Sequence, residues 1–164
     1  MKELMLQYAR YNMWANKCLM DVMTPLTEPQ IDQVVISSFP SVRKTVIHTW
    51  SAEKIWLQRL ELVLHPVWHA AEFKGSFVEA CCNWVQSSAL LAGYAENLPE
   101  GRMQEYIHYH DLRNNPHATQ VADMLQHVFN HSTYHRGQLV TLLRQLGITQ
   151  IPSTDYIGYV RLNK

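Results

Sequence analysis

The stretch Leu125-Gln126-His127-Val128-Phe129-Asn130-His131-Ser132-Thr133-Tyr134-His135-Arg136-Gly137-Gln138 decides how this chain is read. Three of the nine histidines fall in it, at positions 127, 131 and 135. A spacing of i, i+4 and i+8 sets all three along one face of an α-helix. Two imidazoles one helical turn apart can hold the same metal ion, as in helices of the H-E-x-x-H type. Three cannot, because the outer two stand about 12 Å apart at 1.5 Å of rise per residue. Either His127 with His131, or His131 with His135, can therefore form a pair, and further ligands must come from elsewhere in the chain.

Working outward, Thr119 is a suitable N-cap for the helix that carries this stretch, which is predicted to run to Leu146 and stop at Gly147. Three other segments carry the helical period. Leu4, Tyr8, Tyr11, Ala15, Cys18, Leu19 and Val22 form a stripe over 3–23 that ends at Pro25. Thr27-Glu28-Pro29-Gln30 opens a short helix to about Val35. A second long helix is expected over 41–63, with His48 in its middle, before His65-Pro66 breaks the pattern. A loop over 65–75 follows, and Ser76-Phe77-Val78-Glu79 is a capping box for a third, ending near Leu98 before Pro99. Residues 102–118 read as a loop with a short hairpin, because Glu105–His110 is β-rich and Arg113-Asn114-Asn115-Pro116 is a turn. The end, 151–159, reads as a short aromatic tail packed on the body. Four long amphipathic helices in one domain, residues 1–164, make an all-α four-helix bundle.

Composition narrows the function classes. A hydrophobic fraction of 47% and a charged fraction of 17% describe an ordinary folded protein. Lysine plus arginine (14) equal aspartate plus glutamate (14), so no cationic excess favours nucleic acid or anionic lipid. Cys18, Cys81 and Cys82 include no C-x-x-C, and an odd count does not suit a disulfide framework; a reduced, cytoplasmic protein is expected. No apolar run is long enough to span a bilayer, and the N-terminus lacks the shape of a signal peptide. Serine-nucleophile and phosphate-loop motifs are absent.

Facing helices of a bundle commonly supply the remaining ligands of a metal site, and His48 lies at a depth in its helix comparable to that of His131. Two other histidine groups compete. His65 and His69 straddle Pro66, while His108 and His110 share a face if their segment is a strand. Glycine inside a helix, as at Gly137, costs about 1 kcal/mol and suggests close approach of a neighbouring helix. Arg136 is a candidate to hold a carboxylate such as Asp155, and Glu53 or Asp123 could orient a ligating imidazole.

Asn130–Leu139, continuing through Leu142-Leu143-Arg144-Gln145-Leu146-Gly147, resembles the signature helix of the DinB-like family. This is the damage-inducible metalloprotein family, not the polymerase that shares the name. The likeness extends to Tyr11–Asn16, to Ser38–His48 with Glu53 and Trp56, and to Thr154-Asp155-Tyr156, in the expected order. It implies a metal held by His48, His131 and His135, with His127 left beside the ligands or facing substrate. It also implies the mirror variant of an up-and-down bundle, often as a homodimer, and a thiol-dependent transferase or isomerase chemistry using a low-molecular-weight thiol.

Three neutral imidazoles leave a divalent ion an open position, suited to activating water or a thiol toward a small electrophilic substrate. Zinc is the first expectation, nickel the second, with iron or manganese also compatible. The alternative is a non-catalytic, stress-related sensor or scaffold whose bundle the metal stabilises.

Overall fold

Each segment whose apolar stripe lies between a capping signal and a proline or glycine stop is a helix in the computed structural model, which describes residues 1–162. In chain order these are α1 (Lys2–Met23), the short α2 (Glu28–Asp32), α3 (Val42–Leu60), α4 (Phe77–Asn97), α5 (Val121–Gln145) and the short α6 (Tyr156–Leu162). Ser41 Oγ accepts from Lys44 N at 3.2 Å to start α3. At the start of α4, Ser76 Oγ accepts from Glu79 N at 3.2 Å and the Glu79 carboxylate accepts from Ser76 N at 2.6 Å. Gly147 ends the last long helix at φ +81°, a conformation that costs other residues a Cβ clash.

The hairpin between α4 and α5 consists of β1 (Tyr106–His110) and β2 (Pro116–Gln120), antiparallel, with Tyr106 opposite Gln120 and Ile107 opposite Thr119. Asn114 turns it at φ 64°. This pairing corrects the expected start of α5. The ladder holds Thr119 extended, so it cannot act as a cap; Gln120 is the N-cap residue, without a side-chain capping bond.

The long helices assemble around two apolar clusters, one at each end. Met5 and Ala9 of α1 meet Leu57 and Leu60 of α3, Leu91 and Ala95 of α4, and Val121 and Leu125 of α5. At the other end, Leu19 and Met23 meet Val42 and Val46, Phe77 and Trp84, and Leu139 and Leu143. Burying each such side chain contributes roughly 1.5–3 kcal/mol. The same pairings give the directions: α1 and α5 run one way, α3 and α4 the other. α1 packs on α4 and α5, and α3 on the same two, so α1 and α3 lie diagonally across the bundle.

The bundle departs from plain up-and-down order where consecutive α3 and α4 run parallel. Their connection must therefore return the full length of α3, about 28 Å for its 19 residues. Segment 61–76 does this along the side of α3. Val67 exchanges hydrogen bonds with Gln58, Trp68 reaches His48, and Phe73 meets Trp50 edge-on at 5.0 Å.

A polar layer separates the two apolar clusters. Glu53 is 1% exposed, and its Oε1 accepts from Asn12 Nδ2, Asn16 Nδ2 and Ser132 Oγ, each at 2.8 Å. Its Oε2 accepts from Ser88 Oγ at 2.7 Å. Arg136, 2% exposed, donates to the Oδ1 atoms of Asn12 and Asn16 and to Thr133 Oγ1. Two opposite charges are thus joined through two amides, with all four long helices contributing. Every partner here satisfies a group whose burial alone would cost several kcal/mol.

The C-terminal segment is docked, as expected, but as a helix. Tyr156 stacks on Tyr8 at 4.8 Å, Tyr159 meets Trp14 at 5.4 Å, and Tyr11 Oη donates to the carbonyl of Thr154 at 2.7 Å. Pro152 and Gly158 hid the helical reading; Asp155 O accepts from Gly158 N and Tyr159 N to form its first turn. Among the described residues no helix is long and apolar enough to cross a membrane.

Candidate metal centre

α3 and α5 pack side by side, and their facing turns bring His48, His131 and His135 together beside the polar layer. His131 Nε2 lies 3.3 Å from His48 Nε2 and 3.0 Å from His135 Nε2, and the three ligand atoms are all within 4.8 Å of one another. Two nitrogens bound to a tetrahedral ion at about 2.0–2.1 Å stand roughly 3.3 Å apart, so this donor set fits a metal of that size. Of the two pairs left open by spacing, the structure brings His131 with His135 to His48.

Proton placement supports the fit. Gln138 Oε1 lies 2.7 Å from His135 Nδ1, and Gln138 Nε2 donates to Ser38 Oγ at 3.1 Å. With Gln138 Oε1 as the acceptor, His135 carries its proton on Nδ1 and presents the lone pair of Nε2. Burial, and then the neighbouring His135 imidazole, push His48 down to about 4. Burial followed by three neighbouring imidazoles pushes His131 down to about 3. Burial also lowers His135, with Gln138 opposing. All three are neutral near pH 7, the state that binds a cation.

Aromatic side chains frame the group. Phe39 stacks on the His48 ring at 4.0 Å, Trp68 meets it at 5.7 Å, and Tyr134 lies edge-on to His135 at 5.1 Å. His135 is 4% exposed, so access runs past the other two ligands. A cavity of about 360 Å³ opens there, lined by His48 and His131 and by Ile55, Trp56, Arg59, Trp68 and the hairpin turn 111–113. A larger cavity of about 470 Å³ between α1 and α5 has none of the three histidines in its wall.

The other candidates fall elsewhere. His127 lies one turn before His131, with ring centroids 5.8 Å apart, and packs on Trp56 at 4.7 Å; it flanks the group without joining it. Glu53 does not orient an imidazole, because both its oxygens are taken by the amides and hydroxyls of the polar layer. Arg136 does not hold Asp155: the guanidinium is turned into the core toward Asn12 and Asn16, and Asp155 accepts from Ser153 Oγ at 2.9 Å. Asp123 is exposed on the first turn of α5. No neighbouring helix approaches Gly137, where an added Cβ would meet nothing within 4 Å. His65 is exposed, His69 stacks on Trp50 at 5.4 Å, and His108 and His110 are exposed on β1; among the described residues none of these joins a metal-binding group. Cys81 is buried and its thiol is pushed up to about 12 by desolvation, which leaves it unreactive.

Sequence reasoning missed Gln138 and Arg59. A glutamine three residues after a ligating histidine, on the same helical face, was the available signal for the first. Arg59 gave none, since a charged residue in a last helical turn usually caps a dipole in solvent.

Comparison with known proteins supports the fold and the family. Protein DinB of Bacillus subtilis is 27% identical over 167 residues, covering 94% of this chain and 92% of its own length. The crystal structure of a DinB-like protein from Bacillus cereus superposes with a TM-score of 0.72 at 19% identity, over 92% of this chain and 95% of that one. YfiT from Bacillus subtilis, described as a probable metal-dependent hydrolase with an unusual four-helix bundle topology, gives 0.71 at 15% identity over 91% of each chain. A family model described as "DinB family" matches residues 1–163, so with helices, polar layer and histidine cluster all inside the matched region, this chain belongs to the DinB family.

Proposed function

We propose that the protein is a divalent-metal-dependent enzyme that directs a small nucleophile, water or a low-molecular-weight thiol, at a small electrophilic substrate. The observation that carries this reading is a set of three convergent histidines that no further carboxylate, thiol or imidazole joins among the described residues, opening on a cavity. Structural sites are usually closed by four protein ligands, whereas catalytic ones keep a position free. The description of YfiT as a probable metal-dependent hydrolase supports the same class. A purely sensory or scaffolding role has the open cavity against it.

His48, His131 and His135 would hold the ion, with zinc preferred for three imidazoles and nickel, iron or manganese as alternatives. When bound, it supplies a Lewis acid and lowers the pKa of a coordinated water or thiol toward neutrality. The protein's own residues do the rest. Gln138 keeps the His135 ring in one tautomer and one orientation through Nδ1. Phe39 covers the face of His48 and limits water on that side. Trp56 and Trp68 give the cavity apolar walls that accept the body of a small molecule. His127 packs on Trp56 one turn before His131, outside the walls of the cavity, and takes no step in this reading.

The test is turnover. Metal-loaded protein is assayed with activated esters for hydrolysis, and with bacterial thiols plus model electrophiles for transfer, against metal-stripped protein and His135→Ala. Metal-dependent turnover that His135→Ala abolishes is expected in one of the two assays, and that assay names the nucleophile. Equal rates in loaded and stripped protein across both panels would overturn the proposal.

A further inference from the structure

The cavity beside the histidines contains a buried cation whose charge nothing in the fold neutralises by direct contact. Arg59, in the last turn of α3, is 7% exposed. Its guanidinium rests on a pair of edge-on rings, 4.7 Å from the centroid of Trp56 and 4.7 Å from that of Tyr109. It makes one hydrogen bond, from Nη2 to the carbonyl of His110 at 3.2 Å, and its Nε is buried without a partner. Among the described residues no carboxylate lies within ion-pair distance of it. An arginine carries five donors and stays charged, so most of this one's donors are unspent.

The neighbouring carboxylate does not fill that role. Asp111 lines the same cavity, but its oxygens accept from Arg113 N at 2.8 Å, Asn115 N at 2.9 Å, Asn115 Nδ2 at 3.0 Å and His117 Nε2 at 3.3 Å. It is committed to shaping the hairpin turn. That turn in turn brings Arg113, exposed, to the cavity mouth. Arg136 offers the contrast within this molecule. More deeply buried still, it is tied to Asn12, Asn16 and Thr133 and through the amides to Glu53. Nε of Arg136 is likewise buried without a partner, but its two Nη atoms are bound to side chains of the fold. Those of Arg59 have one backbone carbonyl and face a cavity.

We propose that Arg59 is the recognition point for a carboxylate on the substrate, whose apolar body lies against Trp56 and Trp68 and whose reacting end is directed toward His48 and His131. The substrate class is a small, singly charged carboxylic acid with a planar or apolar core. A single buried guanidinium offers a two-donor fork that matches one carboxylate, and the second cation of the cavity, Arg113, is exposed at its mouth. The Trp56 and Tyr109 rings, edge-on to each other, hold the guanidinium by cation–π contact on one side. This assignment rests on the reading of the histidine cluster as the reaction centre, but binding at Arg59 does not require turnover there.

The test is equilibrium binding of benzoate, with benzamide and phenyl phosphate as comparison probes, to the full chain in zinc-loaded and metal-stripped forms. Benzoate is expected to bind both forms, and benzamide roughly tenfold or more weakly. Arg59→Met, checked for helical content and for one zinc per chain, is expected to lose that preference by a similar factor. In the unmodified protein the Arg59 side-chain Nε–H resonance is expected to shift during the titration, which settles the matter even if the variant fails to fold. Benzoate binding that vanishes on metal removal yet survives in Arg59→Met, an unmoved Arg59 resonance, or a preference for phenyl phosphate would each overturn the proposal. Arg59-dependent binding without any metal-dependent turnover would leave it standing and remove only the enzymatic reading.

Discussion

Replacing Glu53 with glutamine isolates the charge at the centre of the polar layer. The amide is nearly isosteric, and its oxygen can still accept from Asn12, Asn16 and Ser132. Its NH2 replaces Oε2 opposite Ser88 Oγ, which can turn its proton to the carbonyl of Trp84, already 3.0 Å away. What is lost is the counter-charge of Arg136, 2% exposed and joined to Glu53 through two asparagines. Deleting one member of a buried ion pair costs about 3–5 kcal/mol; an indirect pair with most hydrogen bonds kept should lose about 2–3 kcal/mol. For a chain of this size that lowers Tm by roughly 5–10 °C. Urea denaturation of metal-stripped Glu53→Gln, Arg136→Met and the double variant measures it, and metal removal keeps the histidine site out of the comparison. The double variant should recover at least about 1 kcal/mol relative to the sum of the singles. Additive single effects, or a Glu53→Gln loss below about 0.5 kcal/mol, would refute the claim that these charges depend on one another.

Metal analysis should give about one divalent ion per chain, emptied by His48→Ala, His131→Ala or His135→Ala and unchanged by His65→Ala or His108→Ala; the opposite pattern would move the site. Gln138→Ala should weaken zinc binding by about 10- to 100-fold while leaving stoichiometry intact, as competition with a chromophoric chelator can show. Because folding lowers the pKa values of His48 and His131 to about 4 and about 3, the unfolded chain takes up more protons below their ordinary value of 6.5. Stability of the metal-stripped protein should therefore be complete above pH 6.5 and fall as pH drops from there toward 4; a flat denaturation midpoint across that window contradicts the burial argument. With net charge 0, duplex DNA should not bind at submicromolar Kd at physiological salt, which fluorescence anisotropy can check.

The fold was legible wherever a local signal and a long stripe agreed. The Ser76–Glu79 box, Pro25, Pro99 and Gly147 mark helix ends because each acts through its own backbone. Spacing alone brought His131 and His135 to one face; His48 was a candidate by its depth in a facing helix, and the family resemblance singled it out as the third ligand. The polar layer was illegible for the opposite reason. Asn12, Asn16, Ser88 and Ser132 are ordinary exposed-face residues by type, and only the meeting of four helices makes them interior. Arg136 was misassigned to Asp155 on the same ground, because charge suggested a carboxylate partner where the core offered amides. The start of α5 was missed because Thr119 is claimed by a cross-strand partner that no local window contains.

The return path of segment 61–76 divides the molecule's labour between parts that can change at different rates. The histidines stand on α3 and α5, fixed by core packing, so altering their supports disturbs the whole bundle. Trp68 arrives on the returning segment, and Asp111 to Arg113 arrive on the hairpin turn, both outside the helical core. Surface connections tolerate replacement and insertion far better than packed helices do. The three imidazoles can thus be kept unchanged while two walls of the cavity beside them are exchanged, so one scaffold can set different cavities against the same histidine cluster.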